Sequence, residues 1–242
     1  MQTAGIDFSA DPKKTGVATL LWHGDTAAVT AVRVGEDSDQ DLCGLILDVD
    51  KTGIDCPLGW PTSFIDYLIA HRQGGRDLLV PKTRRSLSYR VTDIYVMERT
   101  GVRPLSVSAD RIGAAAMRCA AVLSSLTRRD VAVDRSGRTG PIAEVYPAAA
   151  LNVWGLPHQG YKGSKPENVQ RRIELVRSIE LAFPWLELGE HADFCRRSDD
   201  ALDSVLCGVI AGLVMRGGTE PLPENAMGAA ATEGWIALPK CK

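Results

Sequence analysis

Three short apolar stretches each carry a single carboxylate: Ile6-Asp7-Phe8, Ile54-Asp55-Cys56-Pro57 and Ala143-Glu144-Val145-Tyr146-Pro147. Burying an unpaired carboxylate is costly, so a core strand avoids one unless something compensates for it. One such acid is compatible with a structural residue bonded to backbone amides or to an arginine. Three at corresponding places are harder to explain that way. If the stretches are parallel strands, their carboxyl ends share one sheet edge, where open α/β folds bind ligands. A fourth acidic element, Ser198-Asp199-Asp200-Ala201-Leu202-Asp203-Ser204-Val205, opens an otherwise apolar helix. Asp200 and Asp203 lie three residues apart and share a helix face. Capping and the helix dipole account for Asp199 and Asp200. They explain Asp203, a turn deeper, poorly.

The remaining pattern frames these acids. Residues 3–8, 16–22 and 27–34 are rich in Val, Ile, Leu, Ala and Thr, and Asp11-Pro12-Lys13-Lys14 and His23-Gly24-Asp25 separate them, which predicts an antiparallel meander. A short helix over 39–47 then feeds a buried strand over 52–56. Helices are expected around 61–72 and 108–128. Between them, 81–103 carries Lys82, Arg84, Arg85, Arg90, Arg99 and Arg103 against Asp93 and Glu98. The stretch 57–135 therefore reads as a helical insertion with a cationic surface. A further strand over 141–146, helices near 166–183 and 199–215, and an edge strand over 234–238 complete a single α/β domain with a mixed sheet.

At 242 residues and 45% hydrophobic, the chain can bury a substantial core. It contains no run of 18 apolar residues, so no membrane span is expected. Its first residues lack a basic and then apolar leader, and a cytoplasmic protein is the expectation. Six scattered cysteines without CxxC or Cys/His spacing argue against a zinc site or a disulfide framework. A net charge of −2 argues against a protein that coats nucleic acid over its whole surface, while leaving room for a local basic groove. The four histidines follow no metal spacing. Clustered Asp and Glu without His or Cys suit Mg²⁺ or Mn²⁺, which take oxygen ligands and reverse the repulsion among the acids.

The order of these motifs resembles the ribonuclease H-like superfamily, especially Holliday-junction resolvases. More closely, the chain resembles the predicted-nuclease family catalogued as domain of unknown function 429. The resemblance rests on Gly5-Ile6-Asp7, Asp55-Cys56-Pro57-Leu58-Gly59, Arg90-Val91-Thr92-Asp93, Glu144-Val145-Tyr146-Pro147, Tyr161-Lys162-Gly163 and Asp200-Ala201-Leu202-Asp203. It implies a ribonuclease H-like, five-stranded mixed sheet flanked by helices. It also implies a Mg²⁺- or Mn²⁺-dependent nuclease acting on DNA or RNA. Asp7 would be the central metal ligand, completed by Asp55 and by one or both of Asp200 and Asp203. Glu144 would border that catalytic site or join it. Lys162 would contact a phosphate, or be a solvated loop residue. Arg90 would pair with Asp93 or line a substrate groove.

Two other readings compete. Gly5-Ile6-Asp7-Phe8-Ser9 with Thr15-Gly16 resembles the phosphate-binding hairpin of actin-like or sugar-kinase-type phosphotransferases, although those generally need two such domains. The chain could also be a noncatalytic interaction module that has kept the fold.

Overall fold

The computed structural model describes residues 1–75 and 84–241. Among these, six strands form one sheet: Gln2–Asp7 (β1), Gly16–His23 (β2), Thr26–Val34 (β3), Lys51–Asp55 (β4), Ile142–Glu144 (β5) and Leu186–Glu187 (β6). Their spatial order is β5-β4-β1-β2-β3-β6. The β1–β2–β3 meander is antiparallel, whereas β4 and β5 continue from β1 in parallel and β6 runs parallel to β3. The sheet is mixed, as expected, but has six strands rather than five. The extra one, β6, is two residues long, too short for any alternation of apolar and polar residues to announce it. The edge strand expected over 234–238 is reduced to an isolated parallel bridge between Ile236 and Glu144.

Helices Asp39–Asp48 (α1), Thr62–Arg72 (α2), Arg84–Ser88 (α3), Val91–Thr100 (α4), Ile112–Thr127 (α5), Pro147–Val153 (α6), Pro166–Ala182 (α7), Ala192–Arg197 (α8), Asp199–Met215 (α9) and Met227–Glu233 (α10) surround the sheet. Four of them, α2 to α5, lie between β4 and β5, in the region read as an insertion. Lys82 lies outside the described residues. No helix among the described residues is long and apolar enough to cross a membrane. All six cysteines are free, five of them buried.

Strand alternation sends side chains to two cores. Ile6, Val17, Ile54 and Ile142 face α1 and α5, packing with Leu42, Ile46, Val122 and Leu126. Ala18, Leu20 and Trp22 face α7 and α9, packing with Val176, Ile179, Val205 and Val209. Helix α9 is the element that matters for the site. It lies so close to the sheet that a Cβ on Gly5 would strike the Ser204 carbonyl and the Gly208 amide, and one on Gly53 would strike the Cys207 carbonyl. Glycine at both positions permits this backbone-on-backbone approach. A buried hydrogen-bond chain then locks the helix in place. Trp22 Nε1 donates to Thr3 Oγ1 at 2.9 Å, and Thr3 Oγ1 donates to the Gly208 carbonyl at 2.9 Å. With α9 seated in this way, its first turns overhang the carboxyl ends of β1 and β4.

Candidate metal centre

Parallel register sets the first two acids side by side, Asp7 on β1 opposite Asp55 on β4. Neighbouring residues of a parallel pair point to the same face, and here that face is the one covered by α9. Asp203, on the second turn of α9 and fully buried, meets them there. One carboxylate oxygen from each of Asp7, Asp55 and Asp203 lies within 4.8 Å of the others.

Asp203 is held by groups that the sequence did not single out for this role. Its Oδ1 accepts from the buried Tyr161 hydroxyl at 2.8 Å. Its Oδ2 accepts no aligned hydrogen bond and faces Lys162 Nζ at 2.6 Å. The Lys162 side chain is 50% exposed along its length, yet its ammonium enters the acid cluster. It is therefore neither a freely solvated loop residue nor free to hold a phosphate while that ion pair persists. Buried Arg172 fixes the loop that delivers both residues. Its Nη1 donates to the Tyr161 carbonyl at 2.6 Å, and its Nη2 to the Arg197 carbonyl at 2.7 Å, just before α9.

The electrostatics are those of acids forced together. Burial raises Asp7 well above the usual carboxylate range; Lys162 opposes this, while Asp203, Asp55 and Asp200 add to it. Asp55 is pushed up to about 7, chiefly by burial, with Lys162 again opposing and Asp203 and Glu144 adding. Burial alone would lower Lys162, but Asp203, Tyr161, Asp7 and Asp55 outweigh it and hold the ammonium well above its ordinary value. Lys162 thus acts as a tethered counter-ion. Three carboxylates without His or Cys, one of them with a buried oxygen that accepts no aligned hydrogen bond, are a donor set that suits a hard divalent cation.

The other expected residues fall into place around this triad. Asp200 lies beside Asp7 and borders the triad, and its carboxyl is raised, mainly by burial, with Asp199 and Asp203 adding. Ser198 caps α9 by accepting from the Ala201 amide, and Asp199 accepts from the Gly163 amide. Glu144 does not join the triad. It pairs in register with Ile54, so it takes the opposite sheet face from Asp55. There Arg90 holds both its oxygens, at 2.7 and 2.8 Å, and the Leu58 amide donates to Oε2 at 3.0 Å.

Arg90 also departs from the groove reading. It pairs with Asp93, as the sequence allowed, and its remaining donors go to Glu144 and the Glu233 carbonyl. All five guanidinium N–H groups are engaged, leaving none for a substrate. The cationic surface expected over 81–103 is correspondingly weaker, since Arg85 pairs with Glu98 and Arg99 with Glu220. Ser9 and Thr15 serve the turn after β1, where Arg118 donates to the Ser9 carbonyl and to Thr15 Oγ1.

A family model described as "Protein of unknown function (DUF429)" matches residues 5–228, a span that takes in every residue of the triad. The chain belongs to the DUF429 family. Comparison with curated proteins and with solved structures finds no match. In this DUF429 protein, the buried Asp7–Asp55–Asp203 triad is a group that could hold a metal ion.

Proposed function

We propose that this DUF429 protein is a metal-dependent phosphodiester hydrolase of nuclease type, built on a ribonuclease H-like sheet. The observation that carries the reading is the meeting of Asp7, Asp55 and Asp203, remote in sequence, around one small volume. Asp7, Asp55 and Asp203 would hold Mg²⁺ or Mn²⁺. A divalent cation held there supplies an acidified water and neutralises charge that builds up on a phosphoryl group.

The chain's own residues divide the remaining work. Tyr161 orients Asp203, and Arg172 anchors the loop carrying Tyr161 and Lys162. Lys162, paired with Asp203 in the absence of a cation, would be free to serve an oxygen of the substrate phosphate once that charge is neutralised otherwise. Asp200, only partly buried beside Asp7, is placed to accept a proton. In the hydrolysis, the water oxygen bonds to phosphorus as one ester P–O bond breaks. Water gives up one proton, and the departing oxygen takes one up. Nucleic acid, DNA or RNA, is the substrate class this chemistry suits best.

The phosphotransferase reading draws less support from the same corner. Thr15 Oγ1 already accepts from the Ser9 amide and from Arg118, and a Cβ on Gly16 would strike the Asp200 backbone. The hairpin is filled by α9 and Arg118, not shaped as a phosphate cradle.

The test is cleavage of single-stranded and structured DNA and RNA with Mg²⁺ or Mn²⁺. Asp7→Asn should lower the rate by about a hundredfold or more, since it removes a charge that holds the cation. Equal rates for the variant and the wild type would remove Asp7 from the mechanism.

A further inference from the structure

A cavity of about 410 Å³ opens beside the triad, sharing Asp55 and Lys162 with it. Two of its charged lining residues, Arg90 and Glu144, satisfy each other. The rest of the lining carries no carboxylate, ammonium or guanidinium: Leu105, Ile112 and Tyr146 form an apolar and aromatic wall, and His158 and Gln159 add hydrogen-bonding groups. Leu105 is 48% exposed, a large apolar side chain on a loop with its face to this space. Acidic and cationic groups at one side, and a largely apolar chamber with an aromatic ring and amide and imidazole edges beyond, fit an asymmetric ligand. Its phosphate end would lie towards Lys162 and the triad, and a flat heterocycle would occupy the chamber. The volume is that of a site for one small ligand. A base inside a duplex presents only its edges to the grooves and must leave the stack to enter such a chamber.

We infer that this cavity receives the nucleobase of a single unpaired nucleotide, next to the phosphodiester that the triad acts on. The inference rests on the hydrolase reading above and narrows it to terminal, single-stranded or extruded nucleotides. Tyr146 offers a ring for stacking, a sequence-tolerant interaction. His158 and Gln159 are the groups that discriminate among bases.

The experiment measures calorimetric binding of adenosine 5′-monophosphate, uridine 5′-monophosphate, ribose 5-phosphate and inorganic phosphate to the full chain. Mn²⁺ affinity is followed separately by electron paramagnetic resonance. Wild type should bind the two nucleotides at least about tenfold more tightly than ribose 5-phosphate, the loss per base expected from stacking alone. Leu105→Trp, at a half-exposed position, should abolish that preference and leave Mn²⁺ binding unchanged. His158→Ala should alter the ratio between the two nucleotides. Nucleotides that bind no better than ribose 5-phosphate, with Mn²⁺ binding intact, would overturn the base site and leave the metal reading standing. A nucleotide preference that survives in Leu105→Trp would also overturn it. Nucleotide preference without any Mn²⁺ binding would uphold the base site and sink the metal reading instead.

Discussion

Arg90→Met is expected to lower the unfolding free energy by about 3–5 kcal/mol, because removing one partner of a buried ionic network strands the others. Arg90 is 1% exposed, and its two carboxylate partners, Asp93 and Glu144, are 0% and 2% exposed. Methionine fills much of the volume but answers neither charge. Arg90→Lys should rescue little, since one ammonium cannot serve two carboxylates in the planar, forked manner of a guanidinium. The consequence reaches the site through Glu144. Its Oε2 accepts from the Leu58 amide and so pins the turn that follows Asp55. Denaturant titration reads the effect as a lower midpoint with an unchanged slope. A midpoint equal to that of wild type would show that the network does not hold the fold.

Stability without divalent cations should fall as pH rises from about 5 to 8, and saturating Mn²⁺ should reverse that trend. Asp55 has an ordinary value of 3.8 and is pushed up to about 7 in the folded chain, and Asp7 is raised in the same direction. Between those values the folded state binds more protons than the unfolded one, so unfolding becomes easier with rising pH. For Asp55 the penalty is absent below the unfolded value, grows through the interval and is complete above about 7, on the order of a few kcal/mol. A bound cation requires the deprotonated carboxylates, so its stabilisation grows over the same interval. Thermal denaturation at several pH values, in EDTA and in Mn²⁺, should give trends of opposite sign in wild type. In Asp55→Asn both trends should weaken. Parallel trends with and without Mn²⁺ in wild type would contradict the account.

Much of this architecture was legible in the residues because it follows from periodicity. The meander, β4, α5, α7 and α9 are long or strongly patterned enough to read directly. The acids stood out for the same reason, as charges in apolar surroundings. What could not be read was the face each acid takes. Asp7 and Asp55 share a register position, whereas Glu144 pairs with Ile54, and that one-residue offset sends it through the sheet to Arg90. Register between strands separated by 86 residues of sequence leaves no local trace. Helix geometry favoured Asp203 over the capping acids, but its partner Tyr161 arrives on a loop placed by Arg172, through contacts to backbone carbonyls that no side-chain pattern encodes. Lys162 stood out only through the family resemblance, as a phosphate contact or a solvated loop residue. Its role depends on where that loop lands.

If Asp7, Asp55 and Asp203 share one cation, anomalous diffraction from a crystal soaked in Mn²⁺ should show one strong peak bounded by oxygens of all three carboxylates, with Lys162 Nζ withdrawn from Asp203. A crystal saturated with Mn²⁺ that shows no peak there, with the Lys162–Asp203 ion pair still in place, would contradict a shared cation.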